Sequence, residues 1–221
     1  MSFPSPNCGE RRLGARPDLV VIHYTAMASM AEARARLCDP AHEVSAHWLI
    51  GPDGAVEQLV DEALRAWHAG AGAWGAVTDV NSRSIGIELA NTGAQPFSEP
   101  QMAALERVLA GIMARWAIRP ERVIGHSDMA PLRKSDPGAR FDWRRLAQAG
   151  LSVWPEGRSV GRKAEFLGHA RRFGYPEGEE ALILRAFRLR FRPWAEGPVD
   201  DIDAGLAAEL AARFPVDGGM A

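Results

Sequence analysis

The sequence predicts an α/β fold followed by a small helical bundle. Two observations carry this. Over about the first 150 residues, short apolar β-branched runs alternate with stretches of helical periodicity. Beyond Val153-Trp-Pro-Glu-Gly-Arg158 the pattern becomes helical throughout. The boundary divides the chain into regions 1–155 and 158–221. A length of 221 residues accommodates one larger domain and one small one.

Leu19-Val-Val-Ile-His-Tyr-Thr25 is apolar and β-branched, which predicts a buried strand. Met30, Ala33 and Leu37 give residues 29–37 one helical apolar face, stopped near Asp39-Pro40. Residues 45–50 form a strand pattern, and Pro52-Asp-Gly54 turns the chain into a second strand at 55–60. Ser84-Ile-Gly-Ile-Glu-Leu-Ala90 is a further strand. Ser98 caps the clearest helix, 98–117, whose stripe is Met102, Leu105, Leu109, Ile112 and Trp116. Residues 122–126 predict a short strand, 127–141 a long loop, and 143–149 a short helix. Residues 160–173, 179–191 and 203–214 predict the three bundle helices.

Charge and composition exclude several functions. A net charge of −2 provides no field for nucleic acid or an anionic membrane surface. No window approaches about 18 apolar residues, so no spanning helix is expected. The first ten residues hold no basic stretch followed by an apolar run, so the plain expectation is a cytoplasmic protein; the cell envelope is the alternative. Cys8 and Cys38 read as reduced thiols.

Chemistry must come from distant segments. His42-Glu43-Val-Ser-Ala-His47 has one residue too many for the helical zinc motif, because an i,i+5 pair lies about 140° apart around a helix. His42 and His169 read as surface residues. His23 and His126 each end a strand, where α/β folds build sites. Asp136 precedes Pro137, which favours extended backbone and points Lys134 and Asp136 the same way. Two imidazoles and a carboxylate suit a catalytic zinc with one position left open. Spacing alone leaves another reading: two buried histidines and an aspartate capping a turn. Glu88 shares a strand face with Gly86 and Ala90, whose small side chains leave open space around it. That face fits a cleft, or equally a solvated surface.

Five segments, in order, resemble the zinc-dependent N-acetylmuramoyl-L-alanine amidases of the AmpD/AmiD type. They are Val21–Thr25, Val44–Ile50, Ala66–Gly70, Ser84–Leu89, and Ile124–Pro131 with Lys134–Gly138. The resemblance implies a central mixed sheet flanked by helices, as in phage-lysozyme-like amidases and peptidoglycan recognition proteins. It implies one Zn2+ held by His23, His126 and Asp136, with Glu88 as general base and Lys134 steadying the oxyanion. His47 and His68 lie in family-like segments, as substrate contacts or as structural residues. The segment Val160–Phe214, with Ala186-Phe-Arg-Leu-Arg-Phe191, resembles a three-helix peptidoglycan-binding domain. The implied reaction is hydrolysis of the amide between N-acetylmuramic acid, or its anhydro form, and L-alanine, with muropeptides or the sacculus as partner and a monomer assumed. Two alternatives are a non-catalytic recognition protein and an amidase for another acyl–amino acid bond.

Overall fold

The elements follow the apolar runs closely at their centres and loosely at their ends. The structure, a computed structural model, describes residues 4–157 and 160–217. Its strands are β1 (Cys8–Gly9), β2 (Leu19–Tyr24), β3 (Trp48–Ile50), β4 (Val56–Gln58), β5 (Arg65–Ala66), β6 (Ser84–Leu89) and β7 (Val123–Gly125). Its α-helices are α1 (Met30–Cys38), α2 (Val80–Arg83), α3 (Glu99–Trp116), α4 (His126–Met129), α5 (Trp143–Gln148), α6 (Phe166–Phe173), α7 (Glu180–Phe191) and α8 (Asp201–Arg213).

Five strands form one sheet in the order β4-β3-β6-β2-β7. β3, β6, β2 and β7 run parallel and β4 is an antiparallel edge, so the sheet is mixed. β1 and β5 make a separate two-stranded ladder. The parallel register decides the site. It pairs His23 with Glu88 and Ile22 with Gly125. His23 and His126 therefore emerge side by side, with Glu88 one strand away.

Alternation divides the sheet into two faces. On one face Val20, Ile22, Ile85, Ile87 and Leu89 pack against Met102, Leu105, Leu109 and Ile112 of α3. Ser98 starts α3 by accepting a hydrogen bond from the Gln101 N–H, as the sequence predicts. On the other face Leu19, Val21 and Ile124 join Trp74, Met129 and the C-terminal aromatics Phe166, Phe173, Phe187 and Phe191. The helical region and the sheet thus share one continuous core. Each such Phe contributes about 1.5–3 kcal/mol by burial.

Two expectations change. His126 does not feed a loop; it opens the four-residue helix α4. The Gly125 N–H donates to Asp128 Oδ2, which closes that turn. Residues 160–173 do not form one helix. Gly161 runs against the α8 backbone, where an added Cβ would lie 2.4 Å from the Ala204 carbonyl carbon, and its N–H donates to Asp201. The chain must stay extended there, so α6 begins only at Phe166, after a 3₁₀ turn at Lys163–Glu165. The linker and bundle boundaries at Arg158 and Ser159 lie outside the described residues, as do residues 218–221.

Candidate metal centre and active site

Three donor atoms converge where β2 and β7 end. His23 Nδ1 lies 2.9 Å from His126 Nδ1, and each lies 3.0 Å from Asp136 Oδ2. Asp136 is carried to this point by the Ser127 N–H, which donates to its backbone carbonyl at 2.9 Å. α4 therefore controls the position of both His126 and Asp136.

The outer nitrogens show which lone pairs are free. His126 Nε2 donates to the Ala69 carbonyl at 2.9 Å, leaving Nδ1 without its proton. Arg133 donates to the same carbonyl, holding it in place. His23 Nε2 donates to His68 Nδ1 at 3.0 Å. His68 Nε2 donates to Ser84 Oγ at 3.1 Å, and that hydroxyl donates to the Val80 carbonyl at 2.5 Å. This chain runs in one direction from His23 to the backbone. It leaves two imidazole lone pairs and a carboxylate oxygen facing one another. Such a triangle suits a cation: its edges of 2.9–3.0 Å are slightly shorter than the roughly 3.3 Å between ligands of a tetrahedral ion with bonds of about 2.0–2.1 Å. Among the described residues, His23, His126 and Asp136 are a group of donors near enough to share a metal.

Electrostatics agree. Burial first, and then the neighbouring His126, lower the His23 pKa to about 4, so its ring is neutral at pH 7. For Asp136, burial alone would raise the pKa. Asp136, 3.0 Å from both rings, is nevertheless held well below the ordinary carboxylate range, so it stays ionised.

Glu88 faces the same cleft, a cavity of about 410 Å³ also lined by Tyr24, His68 and Lys134. Its Oε2 is buried with no hydrogen-bond partner. Burial, then the charge of Asp136, pushes its pKa up to about 8, while Lys134 pulls the other way. Two carboxylates in one cleft are thereby set to opposite tendencies, an arrangement suited to separate roles.

The structure separates the remaining histidines. His68 is buried behind His23 and orients it, with its ring lying on Gly86. The space that Gly86 leaves is therefore filled by an imidazole and is not open around Glu88. A Cβ on Gly86 would meet the His68 ring at 2.4 Å. His47 lies deeper still and is fully buried. Its Nδ1 accepts from the Gly86 N–H at 2.9 Å, and its Nε2 donates to the Leu64 carbonyl at 3.1 Å. Sequence reasoning passed over Ser84, Arg133 and the Ala69 carbonyl. The glycine inside a strand was the one available sign, because it marks a close approach to the backbone.

The family model for N-acetylmuramoyl-L-alanine amidase matches residues 13–139. The chain belongs to that amidase family. His23, Glu88, His126, Lys134 and Asp136 all fall within the matched stretch. AmiD of Escherichia coli K12 is 36% identical, over 91% of this chain and 85% of AmiD. Its structure, in complex with anhydro-N-acetylmuramic acid-L-Ala-D-γ-Glu-L-Lys, superposes with a TM-score of 0.83 at 35% identity, covering 90% of each chain. AmpDh3 of Pseudomonas aeruginosa, in complex with anhydromuramic pentapeptide, gives 0.82 at 30% identity, covering 92% of this chain and 94% of that one. The AmpD amidase of Enterobacter cloacae is 34% identical over 65% of this chain and 86% of AmpD. The mixed sheet flanked by helices is thus the amidase architecture, and the similarity to AmiD extends through the C-terminal helices.

Proposed function

We propose that this chain uses one zinc ion to hydrolyse the amide between N-acetylmuramic acid, or its anhydro form, and the L-alanine of a peptidoglycan stem peptide. The observation that carries the proposal is the His23–His126–Asp136 triangle opening onto the Glu88 cleft. The muropeptides held by the AmiD and AmpDh3 structures support the substrate class.

An amide is a poor electrophile and neutral water a poor nucleophile. Zinc held by His23, His126 and Asp136 supplies Lewis acidity toward both. Glu88 takes the proton of the attacking water and returns it to the departing alanine nitrogen. Its half-buried position suits both transfers. An ordinary carboxylate would hold the proton too weakly to deliver it, and the nearby cations keep Glu88 from holding it too tightly. Lys134 directs positive charge into the cleft, where the carbonyl oxygen becomes anionic. His68 and Ser84 keep the His23 ring in place throughout. The complete donor set together with Glu88 favours hydrolysis over mere recognition.

The test is turnover of an anhydro-muropeptide and of intact sacculi, each with and without a chelator. The expected result is release of the L-alanine-terminated peptide, lost with the chelator and restored by zinc. Turnover unaffected by chelation, or none on either substrate, would overturn the proposal.

A further inference from the structure

Among the described residues, the most deeply buried ion pair lies next to the metal centre. Asp128, two residues after His126, pairs with Arg190 of α7 at 2.8 Å, and each side chain is 1% exposed. Asp128 has two further partners. Its Oδ2 accepts from the Gly125 N–H at 2.8 Å, and its Oδ1 accepts from the Tyr175 hydroxyl at 2.6 Å. Arg190 also donates to the Val123 carbonyl and to Ser152 Oγ, both at 3.1 Å. Its guanidinium stacks over Trp143 at 4.3 Å. Also from α7, Arg185 donates to the Pro131 carbonyl at 2.9 Å.

These contacts share a target. Val123, Gly125, Asp128 and Pro131 bracket His126 on both sides, and Ser127 carries Asp136. Two of the three metal donors therefore hang from one short segment. A helix of only four residues has little stability of its own. Replacing this buried pair with apolar groups would ordinarily cost little stability, so stability does not explain it. What the pair adds is a defined position for α4.

We infer that α7 is part of the amidase centre: Arg190, through Asp128 and with Tyr175, positions α4 so that His126 and Asp136 converge with His23. The C-terminal helices thereby act as a brace for the site. Arg190, Asp128 and Tyr175 are positioning residues, because none of them touches the donor triangle. The inference rests on the metal reading proposed above.

The test uses the full chain with Arg190→Lys, Arg190→Met and Tyr175→Phe. Tyr175→Phe keeps the buried ring and removes only the hydroxyl, so it serves if the Arg190 variants fail to fold. Each is measured for thermal midpoint, for cobalt(II) and zinc affinity by chelator competition, for the cobalt(II) absorption spectrum, and for kcat and KM. Arg190→Lys keeps the charge but loses the fork, and is expected to bind metal about tenfold more weakly. Its cobalt spectrum should change and its kcat fall, with KM little altered. Tyr175→Phe should shift the same quantities in the same direction by less, and Arg190→Met by more. Folded variants with the parent's metal affinity and cobalt spectrum, whatever their thermal midpoint, would overturn the inference. A parent chain that neither binds metal nor turns over muropeptide would instead sink the reading of function.

Discussion

One face of β2 and β6 presents Val20, Ile22, Ile85, Ile87 and Leu89 to α3. The other presents His23 and Glu88 to the cleft, with Gly86 covered by the His68 ring. The residues alternate along the same two strands, yet the faces do different work. The α3 face is hydrocarbon packed on hydrocarbon, tolerant in chemistry and strict in volume. The cleft face is polar and largely buried, with its hydrogen bonds nearly all assigned; the exception is Glu88 Oε2. A period of two lets one pair of strands hold stability and chemistry apart, so each can be altered alone.

The comparison breaks first at Glu88. Glu88→Gln should leave zinc content and thermal midpoint intact and lower kcat by about 10²–10⁴. Elemental analysis beside steady-state kinetics checks both, and an active, zinc-loaded variant would remove Glu88 as the base. The opposite face should give the mirror image. Leu109→Ala removes a fully buried side chain of α3 and should cost about 2–5 kcal/mol in urea unfolding, with kcat and KM unchanged below the new midpoint. Altered kinetics there would mean that the faces are not separable.

pH probes the buried histidines. Burial first holds the His47 pKa at about 4 against an ordinary 6.5, despite the Leu64 carbonyl, which raises it. As pH falls, the unfolded chain protonates this ring before the folded one does. Stability is therefore full above pH 6.5 and is lost between 6.5 and about 4, by roughly 3 kcal/mol for this ring. His23 and His68 are also lowered and act with the same sign, whereas Glu88, pushed up to about 8, acts with the opposite one. Urea unfolding at pH 7 and pH 4.5 should show the loss, and His47→Gln should flatten it. An equal slope in the variant would assign the effect elsewhere. The smallest change tests the orienting chain. Gly86→Ala displaces the His68 ring and should weaken zinc binding about 10–100-fold, without the large stability loss of Leu109→Ala.

Much of this was legible in the chain. The α3 stripe and its Ser98 cap, the β2 and β6 runs, and Glu88 opposite Ile85, Ile87 and Leu89 follow from local periodicity. His23 and His126 were legible as strand-end histidines and Asp136 as the residue before Pro137, and the family resemblance favoured a metal set over the structural reading. The orienting partners were not, because a hydrogen bond from His23 to His68 spans 45 residues and leaves no periodic trace. Nor was α4, which forms because Asp128 captures the Gly125 N–H and Arg190 holds Asp128 from α7.

The sequence by itself determined which residues alternate, which caps start the helices, and which side chains can bind a metal or move a proton. Those are properties of neighbours a few positions apart. Tertiary structure alone decided that the helices after residue 160 share a core with β2 and β7, that His68 lies on Gly86, and that Arg190 reaches the segment carrying His126. Each of these depends on parallel register and on packing between segments far apart in the chain. Apolar burial rewards contact without specifying the partner, so only the assembled shape selects which surfaces meet.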